Sequence, residues 1–325
     1  MTLSDGVRER VDRFLADLAA APLAGHVLGV VVCGSAARGE EIWAGGRLES
    51  DIDLMLVTRR TSPRLTAAAD AVIGPHRAGG IDGGPVPLGP LRRYATLLFY
   101  ETRASGVVVA GDLRPADLIP PLRPEDIPPW EGFRVLANRL LEHVKLAAGA
   151  VSAERAAAKS YEALAEAHLV AEGRYRPTYA TRLEELERRP PAGVGVTVAT
   201  RLAGALRRRL DGGGAVADPE TARRDLLTGL ARLGACCSGR PGGPTEQLAL
   251  LARGPAHWRQ RAWWSAVMLT QGRWASITPH MDPSMRIWQR ALAAVTVPGG
   301  CAADPRLLDD WRRCPQVLPK RHAAR

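Results

Sequence analysis

A chain of 325 residues that is 46% hydrophobic and 24% charged has a globular composition and the length for about two domains, which excludes fibrous and compositionally disordered classes. Five cysteines, an odd number with no C-x-x-C spacing, exclude a disulfide framework and a zinc ribbon, and fit a reducing cytosol. The net charge of +10 is unevenly placed: residues 1–200 carry 24 cations and 25 acids, whereas residues 201–325 carry 20 cations and 9 acids.

In chain order, Val7, Val11, Phe14, Leu15 and Leu18 share one stripe and predict an amphipathic helix over 4–20. The continuous apolar run VLGVVVC predicts a buried strand over 27–33 that ends at Gly34-Ser35. A polar, glycine-containing loop follows, then a second strand over 52–57 (IDLMLV) and a helix over 63–75 that begins at a proline. GGID at 79–82 starts a short extended segment, residues 86–106 read as turn and helix, and VVVAG at 107–111 reads as a further strand. PPLRPEDIPP at 120–129 is the natural boundary, since its prolines remove donors and forbid helix interiors. Beyond it, helical periodicity runs through 131–149, 153–172 and 178–189. Breakers at 190–195, 211–214, 238–244 and 297–301 divide the remainder. The domains expected are therefore 1–119 and 130–325, the second divisible near 190–215. No segment reads as a signal peptide or a membrane span, so a cytoplasmic protein is expected.

Chemistry concentrates in CGSAARGEEIWAGGRLESDIDLMLV, Cys33 to Val57. Asp51 and Asp53 are two apart on a predicted strand, so both carboxylates leave one face of the sheet. Crowded carboxylates repel, and a divalent cation relieves that repulsion. Two oxygen-rich Mg²⁺ sites are what an in-line nucleotidyl transfer uses. Ahead of the pair, Gly34 lets phosphate oxygens approach the main chain, and Ser35 offers a hydroxyl and an N–H.

Gly-Ser, a loop, then Asp-x-Asp between apolar residues resembles the DNA polymerase β superfamily of nucleotidyltransferases. The succession of catalytic domain and helical domain is similar to the aminoglycoside nucleotidyltransferases and related bacterial proteins. By motif the resemblance covers about residues 25–115. It implies an α+β fold, with a mixed sheet flanked by helices followed by an all-α C-terminal domain. It makes Asp51 and Asp53 metal ligands and Gly34 and Ser35 phosphate contacts. It also implies a third acid on a later strand, completing a metal site or taking the acceptor's proton. Asp82 fits that place, although two glycines follow it where the family has an apolar residue; Glu101 is the fallback. The 15 residues between Ser35 and Asp51 are more than the family usually has.

Other residues carry two readings each. Arg38, Glu40 and Glu41 are loop charges, with Arg38 near enough to reach phosphate. Lys159 is one of three lysines beside 41 arginines, and is either an exposed cation or the helical-domain ammonium that related enzymes set at the triphosphate. Tyr161, Tyr175 and Tyr179 are core residues or stacking surfaces. Trp258, Trp263, Trp264, Trp274 and Trp288, interleaved with arginines, are a helical core or an RNA-binding surface. The expected activity is Mg²⁺-dependent transfer of a nucleoside monophosphate, AMP from ATP or another NTP, to a hydroxylated small-molecule acceptor. RNA through the basic C-terminal part, a protein acceptor and a catalytically silent nucleotide-binding module are the alternatives.

Overall fold

A computed structural model describes residues 2–211, 217–253, 262, 266, 269, 283–297 and 300–313. The chain forms two compact units, one of residues 1–123 with 266–273 and one of 124–265 with 274–325.

The first unit is built on a four-stranded mixed sheet. Helix α1 (Asp5–Ala20) precedes strand β1 (Val27–Cys33), which runs into a single short helix, α2 (Gly34–Arg38). The loop expected between Ser35 and Asp51 contains a hairpin, β2 (Trp43–Ala44) and β3 (Arg47–Leu48), turning on Gly45 and Gly46, both at positive φ. Then come β4 (Ile52–Thr58), α3 (Pro63–Ile73), β5 (Ile81–Pro87), α4 (Leu88–Leu91), α5 (Leu97–Ser105), β6 (Val107–Ala110) and α6 (Pro115–Leu118). The strand order is β5-β4-β1-β6, with β1 antiparallel to β4 and to β6, and β4 parallel to β5. The extended segment foreseen at 79–82 is thus a seven-residue strand. Its prolines at 85 and 87 hid it, and they are tolerated because β5 lies at the end of the sheet order.

Alternation along β1 and β4 divides the core. Val30, Val32, Ile52, Leu54 and Leu56 face α1 and α3, packing on Val7, Val11, Phe14, Ala69 and Ile73. Val31, Cys33, Met55 and Val57 face the other way, onto Leu91, Phe99 and Ile119. Asp53 belongs to this second face. The parallel register sets Asp82 directly beside it, and Leu54 beside Gly83. At Gly83, φ is +150° and a Cβ would fall 2.0 Å from the Leu54 carbonyl oxygen, so glycine is required for the strands to pair here.

The hairpin is anchored. The Trp43 ring lies against Gly6 of α1, where a Cβ would come within 2.5 Å of it, and the Arg10 guanidinium sits 5.0 Å over the ring. Ser4 Oγ donates to Glu41 at 2.5 Å. At the base, Glu49 N–H donates to the Ile42 carbonyl (2.9 Å) and Ile42 N–H to Ser50 Oγ (2.8 Å).

All described elements of the second unit are helices, apart from the interspersed loops. They comprise α7 (Pro129–Ala147), α8 (Ala153–Ala171), α9 (Tyr179–Arg188), α10 (Val196–Asp211), α11 (Pro219–Ser238) and α12 (Pro244–Arg253), a 3₁₀ turn at Pro124–Asp126, and helices at Pro283–Val295 and Pro305–Arg313. Ser152, Thr178 and Asp218 accept from the main chain as N-caps of α8, α9 and α11. Tyr161, Tyr175 and Tyr179 are buried. Arg182, fully buried, lies 4.4 and 4.7 Å from the rings of Tyr175 and Tyr179 and binds Glu166 at 2.6 Å. Trp288 is buried against Trp130 and donates to Asn138 Oδ1 at 2.9 Å, so this tryptophan is a core residue. Trp258, Trp263, Trp264 and Trp274 lie outside the described residues. No described helix is long and apolar enough to cross a membrane.

Two results are expected from this packing. Gly83→Ala should cost about 3 kcal/mol in urea unfolding by forcing β5 off β4, whereas Gly84→Ala, whose Cβ would meet nothing within 4 Å, should cost little. His143 and His168 are buried on α7 and α8, and burial, aided by Arg223 and Arg232 respectively, pushes each imidazole from 6.5 down to about 4. The unfolded chain therefore binds more protons between these values. Stability should fall as pH drops from about 6.5 to 4, by about 3 kcal/mol per histidine. Unfolding free energies measured across that window should lose part of the slope in His143→Gln and again in His168→Gln.

Candidate functional site

Asp51 closes the loop after the anchored hairpin, at the mouth of β4, and Asp53 follows on the strand. The Ile52 N–H donates to the Gly80 carbonyl at 2.7 Å, which stitches the start of β4 to the residue preceding β5. Since paired residues of parallel strands share a face, Asp53 and Asp82 emerge on one face of two adjacent strands, with Asp51 immediately before β4.

Gly34 stands at the opposite side of Asp53, because Cys33 pairs with Asp53 across β1 and β4. Its φ is +65°, and a Cβ there would lie 2.6 Å from Asp53 Oδ2. The carboxylate is thus packed over a bare main-chain turn. Ser35 is buried in the first turn of α2, which ends at Gly39 in the left-handed conformation.

Arg38 takes a different place from a phosphate-contacting loop charge. Its side chain is 2% exposed and its guanidinium binds Glu40 (2.5 Å) and Glu101 (3.1 Å), fastening α2 to α5. Glu101, the fallback third acid, is on α5 in this ion pair and apart from the β4–β5 register. Cys33 is buried, accepts from Thr102 Oγ1 at 3.3 Å, and its thiol is pushed up to about 12 by burial, which makes it a poor nucleophile.

Asp82 has the distinctive electrostatics. Partial withdrawal from water of a side chain that stays 58% exposed raises its carboxyl above the usual range, and the neighbouring charges of Asp51 and Asp70 push the same way. The Gly83 N–H, which donates to Asp82 Oδ1 at 2.9 Å, and the Arg77 guanidinium, 3.8 Å away, oppose the rise. Arg77 and Gly83 are the site residues that sequence reasoning missed. An arginine five residues before the acid, at the end of a 3₁₀ segment (Gly74–Gly79), carries no motif signal. The glycine after Asp82 was visible, but as a departure from a pattern.

The donor chemistry suits a hard divalent cation, since these three carboxylates offer oxygen only. Among the described residues no three His, Cys, Asp or Glu side chains already converge at ligand spacing. Asp82 Oδ1 accepts from the Gly83 N–H and lies 3.8 Å from Arg77 Nε.

Lys159 belongs to the second unit. It lies on α8, bound to Glu162 Oε2 at 2.9 Å, with its ammonium pKa lowered by burial and by Arg209 and Arg139. The first unit gathers Gly34, Ser35, Asp51, Asp53 and Asp82.

Comparison with protein-family models, with curated proteins and with solved structures returns no match.

The buried Arg38 pairing supplies its own test. Arg38→Ala leaves two part-buried glutamates without their guanidinium and should cost about 3–5 kcal/mol in chemical denaturation. Arg38→Lys should recover only part, because an ammonium cannot span both carboxylates as the fork does.

Proposed function

We propose that this chain is a nucleotidyltransferase, moving a nucleoside monophosphate, AMP from ATP first among the candidates, to a hydroxyl of a small molecule with release of pyrophosphate. The observation that carries this reading is the side-by-side register of Asp53 and Asp82 with Asp51 two residues away, facing the bare turn at Gly34.

In this reading the chain's own residues do the following. Gly34 seats the Asp53 carboxylate, and the first turn of α2 beside it, with Ser35, is the part of the main chain that would meet the triphosphate. Asp51 and Asp53 would hold Mg²⁺, and Asp82 would complete the site or take the proton from the acceptor hydroxyl. The hydroxyl oxygen forms a bond to the α-phosphorus, and the bond from that phosphorus to the oxygen bridging the β-phosphate breaks. Pyrophosphate leaves with the electron pair. Magnesium, when bound, would supply charge neutralisation for the phosphates and for the carboxylate cluster. A cytoplasmic location is part of the same reading.

A small-molecule acceptor is the first reading, with transfer to RNA or protein as the alternative.

Incubation with each labelled NTP and a panel of hydroxylated acceptors, read as a mass gain of one nucleoside monophosphate, tests the proposal. Asp53→Asn and Asp51→Asn should reduce turnover to background with the fold retained by circular dichroism. Asp82→Asn should lower kcat by about 10²–10⁴ if the carboxylate acts as base. Full activity of Asp53→Asn would overturn the reading, and nucleotide binding without any mass gain would identify a silent binding module.

A further inference from the structure

Resting on the nucleotidyltransferase reading, we infer that Arg77 is a resident counter-cation for Asp82, held on a tether by Asp70, and that it sets how readily the third carboxylate is released to an incoming divalent metal. Three observations converge on this. Arg77 reaches two acids at once, with Nη2 hydrogen-bonded to Asp70 Oδ1 and Nε 3.8 Å from Asp82 Oδ1. Asp70 lies on α3 and Asp82 opens β5, so the guanidinium bridges the helix that precedes the site to the strand that carries the third acid. Asp82 Oδ1 is the oxygen that meets both Arg77 Nε and the Gly83 N–H, so its resting contacts are with these two groups.

The two contacts of Arg77 differ in kind. That to Asp70 is a direct hydrogen bond, and that to Asp82 is a longer charge contact on a side chain that is 58% exposed. A contact of the second kind is weak enough to exchange for a divalent cation, and the first keeps Arg77 from following Asp82 into the site. Arg77 is therefore a positioning residue. It holds Asp82 in its resting contact in the absence of metal, and Asp70 limits how strongly it does so.

Direct metal binding tests the inference without recourse to turnover. Free Mn²⁺ is measured by electron paramagnetic resonance as it is titrated into the full chain and into Arg77→Gln, Asp70→Asn, the double variant and Asp82→Asn, with circular dichroism as the fold control. Arg77→Gln should bind Mn²⁺ about two- to fivefold more tightly, the worth of one exposed ion pair. Asp70→Asn should bind it about two- to fivefold more weakly, because Arg77 then turns fully onto Asp82. The double variant should match Arg77→Gln, and Asp82→Asn should abolish the response to Arg77→Gln.

If Asp70→Asn still weakens binding in the Arg77→Gln background, the effect is long-range charge and the tether is overturned. Unchanged or weaker binding in Arg77→Gln overturns the counter-cation itself. An unsubstituted chain that takes up Mn²⁺ no differently from Asp51→Asn and Asp53→Asn overturns the magnesium reading, and the inference with it.

Discussion

The close approach of β5 to β4 at Gly83 is the constraint on which the candidate site depends. A sheet that pairs two strands in parallel places equivalent residues side by side, but it does not choose which residues are equivalent. Here the choice is fixed at one point, where the Leu54 carbonyl oxygen occupies the space a Cβ would need. Glycine at 83 therefore locks Leu54 opposite itself and, one residue back, Asp53 opposite Asp82. A slip of one residue would turn Asp82 to the face packed by α1 and α3, among Val30, Ile52 and Leu54, where a carboxylate has no partner.

The same logic of excluded side chains operates on the other flank. Gly34 gives the carboxylate of Asp53 its resting place, and Gly6 gives the Trp43 ring its seat on α1. The second contact explains how a 15-residue connection can lie between Ser35 and Asp51 without loosening the strand that follows. The surplus residues form a hairpin pinned by Trp43, Arg10 and Ser4, and its base is closed by Ile42, Glu49 and Ser50, immediately before Asp51. Length is thereby absorbed into structure, which keeps the entropy of a long loop away from the start of β4.

What could be read in the sequence follows from the range over which each signal acts. VLGVVVC and IDLMLV declare strands through local composition, and the stripe from Val7 to Leu18 declares a helix through its period, so β1, β4 and α1 were legible almost to the residue. β5 was legible only at its first residues, because Gly83, Gly84, Pro85 and Pro87 are poor strand formers whose cost is met by pairing with β4. The mixed sheet with helices on both faces matches the expected α+β class. The pairing of Asp53 with Asp82 was accessible through a resemblance and not through spacing. Arg38 and Arg77 were illegible as partners of Glu101, Asp70 and Asp82, since an arginine's reach of several ångströms joins segments with no common period. Arg38 was weighed as a phosphate contact because of its nearness in sequence to Gly34, and burial assigned it a different neighbour.

Charge, finally, looks different at the site than over the chain. The total of +10 invites a polyanion as partner, yet the first 200 residues carry one more acid than base. Around the candidate site both arginines that approach are committed: Arg38 to Glu40 and Glu101, Arg77 to Asp70 and Asp82. Asp51 and Asp53 add further negative charge next to Asp70 and Asp82, which share the single Arg77, so acids outnumber bases around the β4–β5 register. Such a surplus would repel a bare phosphate, so under the proposed function a nucleotide would enter with cations that reverse the local sign. Under the proposed function, a need for a divalent metal would follow from the way this chain has paired its own arginines.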